Sequence, residues 1–204
     1  KAVVKKNFKT ADAFLTLDII KNGVTEYKKL KLDLTGSYQL KNVVTIIMSI
    51  ELLQKHFSIS KKAIYSGLKS VKATTGLMGR WQVLKRKPLV ICDTGHNEDG
   101  IIEVLKNINL TKYNILHFVF GMVNDKDIVT ILKLLPKNAT YYFCKANIPR
   151  GLDAQLLKDA AAKQGLHGEK FKSVSLALKS AVKQAAMNDL VFVGGSTFTV
   201  AEVV

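Results

Sequence analysis

A carboxylate, an imidazole and an amide stand close together at Asp93, His96 and Asn97. They follow the apolar run Leu89-Val90-Ile91-Cys92 and precede the helical-looking run Ile101-Ile102-Glu103-Val104-Leu105. A buried strand that ends in polar groups at the mouth of a helix is where open α/β sheets place ligands. The first N–H groups of such a helix lack partners within it and carry partial positive charge. Two readings of Asp93 and His96 stay open on this pattern. One is an N-cap with an imidazole at the helix mouth. The other is a polar site for a ribose, a phosphate or a carboxylate.

A second loop has a similar character. Gly194-Gly195-Ser196-Thr197 follows the apolar run Leu190-Val191-Phe192-Val193. Paired glycines let a backbone approach a ligand, and Ser196 or Thr197 can cap the next helix. The carboxyl ends of parallel strands all point one way, so this loop is expected on the same sheet edge as Asp93. Arg80, in Gly79-Arg80-Trp81-Gln82, reads equally as a linker residue or as an arginine at an interdomain cleft.

Other chemistry is missing. There is no GxxxxGK[ST] loop and no GxGxxG, so no loop of that kind holds a triphosphate. His56, His96, His117 and His167 are isolated and show no metal-ligand spacing. His117, inside Ile115-Leu116-His117-Phe118-Val119, reads as a satisfied core histidine. Cys92 and Cys144 lie in apolar runs and read as buried thiols, which fits a reducing, cytoplasmic compartment. No apolar run reaches the roughly 18 residues of a membrane span. The net charge of +15 comes mostly from dispersed lysines. Their clusters are not interleaved with aromatics in sequence, so a solvated surface is the first reading, a general field that attracts anions, small substrates among them, is the second, and dedicated nucleic-acid binding is not expected.

The elements that position these groups fall into two parts. Residues 11–34 read as two strands broken at Lys21-Asn22-Gly23, followed by a well-buried helix over 39–56 and a second at about 60–70 capped by Ser60. From residue 79 the rhythm alternates. Strands are expected at 89–93, 114–120, 139–144 and 190–194, with helices at about 97–108, 125–135, 153–165, 174–187 and 197–203. That pattern predicts a Rossmann-like α/β fold, a mostly parallel sheet flanked by helices. Residues 1–78, without an initiator Met, read as the tail of a larger domain, and residues 79–204 as a complete one.

Four segments together carry a resemblance. They are Gly36-Ser37-Tyr38-Gln39-Leu40-Lys41-Asn42, Gly79-Arg80-Trp81-Gln82, Asp93-Thr94-Gly95-His96-Asn97, and Gly195-Ser196. The ordered set resembles folylpolyglutamate synthase / dihydrofolate synthase, the folate branch of the Mur ligase superfamily. The strand-end motif departs from that family's usual DGAHNP at Thr94, Gly95 and Glu98. The resemblance implies the back of a central ATPase domain (1–78) and a Mur ligase C-terminal, glutamate ligase domain (79–204).

It also implies a function, ATP-dependent ligation of L-glutamate to a folate through an acyl phosphate, supported by Mg²⁺. ATP and Mg²⁺ would be held mainly by parts upstream of residue 1, with no metal ligand here and no activity from this stretch alone. By the same likeness Arg80, Asp93 and Asn42 would reach the nucleotide. His96 and Ser196 would place the incoming glutamate or the reacting end. A monomer with small-molecule partners and no membrane contact is expected. Two alternatives remain, a peptidoglycan- or cyanophycin-type amino-acid ligase and a non-catalytic basic α/β binding module.

Overall fold

A computed structural model describes residues 2–7, 13–124 and 127–204. The chain forms two compact units, Lys1–Met78 and Gly79–Val204.

The first unit opens with three antiparallel strands in the order β1-β2-β3: β1 (Ala2–Asn7), β2 (Leu15–Lys21) and β3 (Val24–Leu32). The turn between β2 and β3 uses Asn22 and Gly23 at φ 50° and 82°, the left-handed pair that suits a two-residue hairpin. Sequence patterning predicts only two of these strands, because Ala2–Asn7 carries lysines where alternation would show. Residues 11 and 12 of the predicted strand region lie outside the described residues. Three helices follow: α1 (Gln39–Leu53), α2 (Lys61–Lys69), capped by Ser60 Oγ accepting from Ala63 N–H at 3.1 Å, and α3 (Val71–Thr75). Leu15, Leu17 and Ile19 of β2 meet Val43 and Ile47 of α1 and Ile64 and Leu68 of α2.

The expectation that α1 is well buried is corrected. Only Gln39, Val43 and Ile47 are buried, while Met48, Leu52 and Leu53 are exposed. Among the described residues of this unit the three-stranded sheet supplies one packing surface, and a helix covers that with a single stripe.

The second unit is a three-layer α/β domain, as its alternating rhythm predicts. Its strands are β4 (Gln82–Arg86), β5 (Leu89–Cys92), β6 (Leu116–Phe120), β7 (Thr140–Cys144), β8 (Gly168–Phe171) and β9 (Leu190–Gly194), in the order β4-β5-β9-β6-β7-β8. All pairs are parallel except β4 with β5. The helices are α4 (Glu98–Asn109), α5 (Ile128–Leu134), α6 (Ala154–Ala162), α7 (Val174–Gln184) and α8 (Thr197–Ala201). Residues 125 and 126 of the helix expected from 125 lie outside the described residues. Strands β4 and β8 were not legible. β4 overlaps the basic cluster Lys85-Arg86-Lys87, and β8 is a short, half-exposed edge strand.

Strand alternation sorts side chains by size. Ile91, Phe118, Phe120, Tyr141, Phe143 and Phe192 fill the face covered by α4, α5 and α6. Val90, Cys92, Val119, Cys144, Val191 and Val193 face α7 and α8, where Ala177 and Ala181 let α7 approach closely. The chain leaves β5 on one face and returns through β9 between β5 and β6, with α8 on the other. Helices therefore diverge at the carboxyl ends of β5 and β9, the position at which open α/β sheets hold ligands.

His117 is a satisfied core histidine, 5% exposed. The Tyr142 hydroxyl donates to Gln184 Oε1 at 2.9 Å, so His117 Nδ1 donates to the Tyr142 oxygen, also at 2.9 Å. His117 Nε2 lies 3.3 Å from Asp189 Oδ2. Both cysteines are free and buried.

Candidate functional site

The carboxyl ends of β5 and β9 are neighbours, with Cys92 opposite Val193. Past the paired residues, Asp93 N–H donates to Val193 O at 3.1 Å, and Gly121 N–H, at the end of β6, donates to Gly194 O at 3.2 Å. The loops bearing Asp93 and Ser196 thus share one sheet edge, as their strand-end positions predict.

Asp93 organises this edge rather than capping the helix. It is 2% exposed, and its two oxygens accept different backbone N–H groups, Oδ2 from Trp81 at 2.7 Å and Oδ1 from Gly95 at 2.9 Å. The N-cap of α4 is Asn97, whose Oδ1 accepts from Gly100 N–H at 2.9 Å. That replaces the N-cap reading of Asp93. Asp93 sits too deep in the strand end to reach the first turn, while Asn97 has the extended backbone a cap needs.

The Asp93 contact fixes an improbable turn. Gly79 and Trp81 both have left-handed backbones, φ 69° and 46°. For a bulky residue that conformation costs about 1–3 kcal/mol. The Trp81 indole offsets it by burying completely and stacking on Phe192 at 5.9 Å. Gly79 admits no side chain, since a Cβ would lie 2.7 Å from Thr94 Cγ2 and 2.9 Å from Val200 Cγ1. Gly79 O accepts from Thr94 N–H at 2.9 Å, and Gly79 N–H donates to Gln82 Oε1 at 2.8 Å. The turn leaves Arg80, between its two left-handed residues, exposed. Trp81 is therefore a positioning residue that motif reading passed over. Its position beside the strand-end acid, twelve residues apart in sequence, is a tertiary fact with no local signal.

His96 is half-buried, and its Nδ1 lies 2.9 Å from Thr94 O. A carbonyl oxygen only accepts, so Nδ1 carries the hydrogen and Nε2 of the neutral ring keeps its lone pair. Ser196 is 2% exposed and caps α8, its Oγ accepting from Phe198 N–H at 3.1 Å. Gly195, at φ 94°, passes so close to Phe120 that a Cβ would lie 2.5 Å from the ring. Behind this loop Thr199 Oγ1 donates to Gly121 O at 3.1 Å.

The edge thus gathers Arg80, Asp93, His96 and Ser196. Asn42 lies on the first unit, exposed, with its Nδ2 donating to Gln39 Oε1 at 2.9 Å. The mouth of α4 is a poor anion site, because Glu98 and Asp99 already fill its first turn with negative charge. Arg80 supplies the positive charge instead. Among the described residues no group of three His, Cys, Asp or Glu could hold a metal ion, and no helix is long and apolar enough to cross a membrane. Below the edge, burial pushes the Cys144 thiol up to about 12, which keeps it out of the chemistry.

Residues 79–197 match the family model of the Mur ligase glutamate ligase domain. A probable bifunctional folylpolyglutamate synthase/dihydropteroate synthase of Haloferax volcanii is 31% identical over 174 residues, 85% of this chain and 20% of the relative. A dihydrofolate synthase/folylpolyglutamate synthase of Escherichia coli is 33% identical over 147 residues, 71% of this chain and 33% of the relative. The crystal structure of the bifunctional folylpolyglutamate synthase/dihydrofolate synthase from Yersinia pestis superposes with a TM-score of 0.71 at 25% identity, covering 92% of this chain and 43% of that one. A Mycobacterium tuberculosis folylpolyglutamate synthase complexed with ADP and AMPPCP shares the fold, with a TM-score of 0.80 at 21% identity, 97% of this chain and 46% of the other. This chain spans a fifth to less than half the length of these relatives. The resemblance carried by the four motif segments is borne out.

Proposed function

Because the chain belongs to the Mur ligase family through its glutamate ligase domain, we propose that it serves an ATP-dependent ligase that joins L-glutamate to a folate. The observation that carries this reading is the sheet edge itself, where the Arg80 turn is pinned by Asp93 beside His96 and the Ser196 loop. The Yersinia protein was crystallised with AMPPNP and Mn, the Mycobacterium protein with ADP and AMPPCP, and a bifunctional folylpolyglutamate synthase/dihydrofolate synthase with Mn, AMPPNP and L-glutamate.

In this reaction a glutamate γ-carboxylate of the folate attacks the γ-phosphorus of ATP, and ADP leaves. The amino group of the incoming glutamate then attacks the acyl carbon. The C–N bond forms, the C–O bond to phosphate breaks, and the nitrogen loses its proton. Such transfers depend mostly on positioning and charge stabilisation.

Each residue takes a part that its geometry permits. Arg80, held out by its turn, meets the nucleotide phosphates. Asp93, buried and doubly bonded to backbone, acts by holding that turn. His96 presents Nε2 to the incoming ammonium group, where a lone pair orients it and can take its proton. The Ser196 loop brings backbone close to the same substrate. Asn42 is assigned to the nucleotide by the family likeness alone. Mg²⁺, when bound, would neutralise phosphate charge, and none of these residues is assigned to it. The two buried thiols fit a cytoplasmic setting.

The test is ADP release from the full-length protein. Release should require both a reduced folate and L-glutamate. Release driven by a UDP-muramoyl acceptor, with folates inert, would move the assignment to a peptidoglycan-type ligase.

A further inference from the structure

Residues 1–78 hold fourteen lysines against five acidic residues. Six of these lysines lie on two elements that pack together, Lys28, Lys29 and Lys31 on β3 with Lys61, Lys62 and Lys69 on α2, all of them exposed. None makes a carboxylate ion pair among the described residues. The side chain of Lys61 donates to a backbone oxygen, Glu26 O, at 3.4 Å.

The crowding is built into the strand. Leu17 pairs with Leu30 and Ile19 with Tyr27, so Asp18 alone opposes both Lys28 and Lys29. This bulge keeps Tyr27 and Leu30 buried and turns two successive lysines outward. Lys29 takes a left-handed backbone, φ 52°, to do so. Asp18 Oδ1 accepts its N–H at 2.6 Å. The Tyr65 hydroxyl, from α2, bonds both the N–H and the C=O of Lys28 at 2.9 Å. The acid and the phenol therefore shape the backbone, and among the described residues neither pairs with the ammonium groups.

Lysines on an edge strand also block strand-to-strand aggregation. That accounts for β3 but not for the three on α2. Two aromatic rings here, Phe14 and Tyr27, already have lysines over them. Lys31 and Lys69 lie 5.6 and 5.9 Å from the Phe14 centroid, Lys61 lies 5.4 Å from that of Tyr27, and Tyr27 is 2% exposed. Rings with ammonium groups over them offer little free face for stacking nucleobases, so the surface suits a chain of anions without bases. It also adjoins the loop into α1, because Asp33 N–H donates to Leu68 O at 3.4 Å and Asp33 Oδ2 accepts from Lys72 N–H at 2.8 Å. That loop leads to Gln39 and Asn42.

We propose that this lysine cluster holds the γ-glutamyl tail of the folate substrate, a flexible chain with one free α-carboxylate per added residue. This rests on the folate-ligase reading above. Each exposed contact is weak and screened by salt, so the effect accumulates along the tail.

The experiment measures binding of a fluorescent γ-linked pentaglutamate, without pterin, to the full-length protein at low and physiological salt. ADP release with a monoglutamyl folate is followed on the same samples. The double variant Lys31→Gln/Lys69→Gln should weaken pentaglutamate binding about tenfold at low salt. Monoglutamate turnover should stay unchanged, and the control Lys158→Gln/Lys163→Gln should have no effect. Equal binding by the double variant and wild type, with turnover intact, overturns the tail site and leaves the ligase reading standing. Single-stranded RNA that competes with the pentaglutamate at matched charge, with the same lysine dependence, overturns it in favour of a nucleic-acid surface. Lysine-dependent binding with no folate-dependent ADP release sinks the ligase reading and the tail assignment with it.

Discussion

The Asp93 carboxylate accepts the backbone N–H of Trp81 at 2.7 Å, across twelve residues of sequence and inside the protein. The bond ties the start of the second unit to the end of β5. It holds a tryptophan in a left-handed conformation and sets Arg80 in solvent. Asp93 thus shapes the site through the backbone. Asp93→Asn replaces one accepting oxygen with an NH₂ group that faces another donor. The expected loss is about 1–3 kcal/mol of stability, read as a lower urea midpoint, with a matching fall in kcat/KM. An unchanged midpoint with reduced turnover would instead place Asp93 in direct contact with ligand.

Trp81 is the only tryptophan in the chain, so its emission reports this turn alone. It should be blue-shifted and shielded from iodide in the folded protein. Trp81→Ala leaves a large cavity against Phe192 and should cost about 3–5 kcal/mol. Trp81→Phe, which keeps a ring there, should cost much less. Equal melting curves for the two variants would contradict the packing described.

His96 separates site from scaffold. Among the described residues its ring makes one hydrogen bond, to Thr94 O, and it is half-exposed. His96→Ala in the full-length protein should lower turnover roughly hundredfold and shift stability by no more than about 0.5 kcal/mol. A large stability loss with normal kinetics of the folded fraction would mark the imidazole as structural.

Asp189 predicts a pH dependence. Burial works against its ionised form, but the N–H groups of Ala186 and Ile115 and the His117 ring outweigh it and hold the carboxyl below the usual range. A depressed folded value stabilises the protein above the unfolded value, and that stability is lost as pH falls through the folded one. Denaturant titrations between about pH 5 and pH 2 should show this loss. Asp189→Asn should start lower and lose less across the window.

Much of this fold was legible because its signals are local. The strands β5, β6, β7 and β9 are continuous apolar runs bounded by polar turns, and Ser60 and Ser196 cap helices as their positions suggest. Gly195 stands at φ 94° where its strand-end loop needed a glycine. What escaped reading depends on contacts distant in sequence. Strand β4 exists because Gln82–Arg86 pairs back onto β5, and the Trp81 turn exists because Asp93 lies beside it. The exposed side of α1 was overestimated as core, since an all-round apolar helix announces burial without naming its partner. The lysine cluster was hidden for the same reason, because Lys61 meets Tyr27 of β3, and Lys31 and Lys69 meet at Phe14, only in three dimensions.

The most direct measurement is of what the full-length protein makes from ATP, L-glutamate and a monoglutamyl folate. Mass spectrometry of the product should show one added glutamyl residue, with ADP formed in equal amount and none without glutamate. A folate recovered unchanged, while ATP is spent on another acceptor or not at all, would contradict the ligase reading.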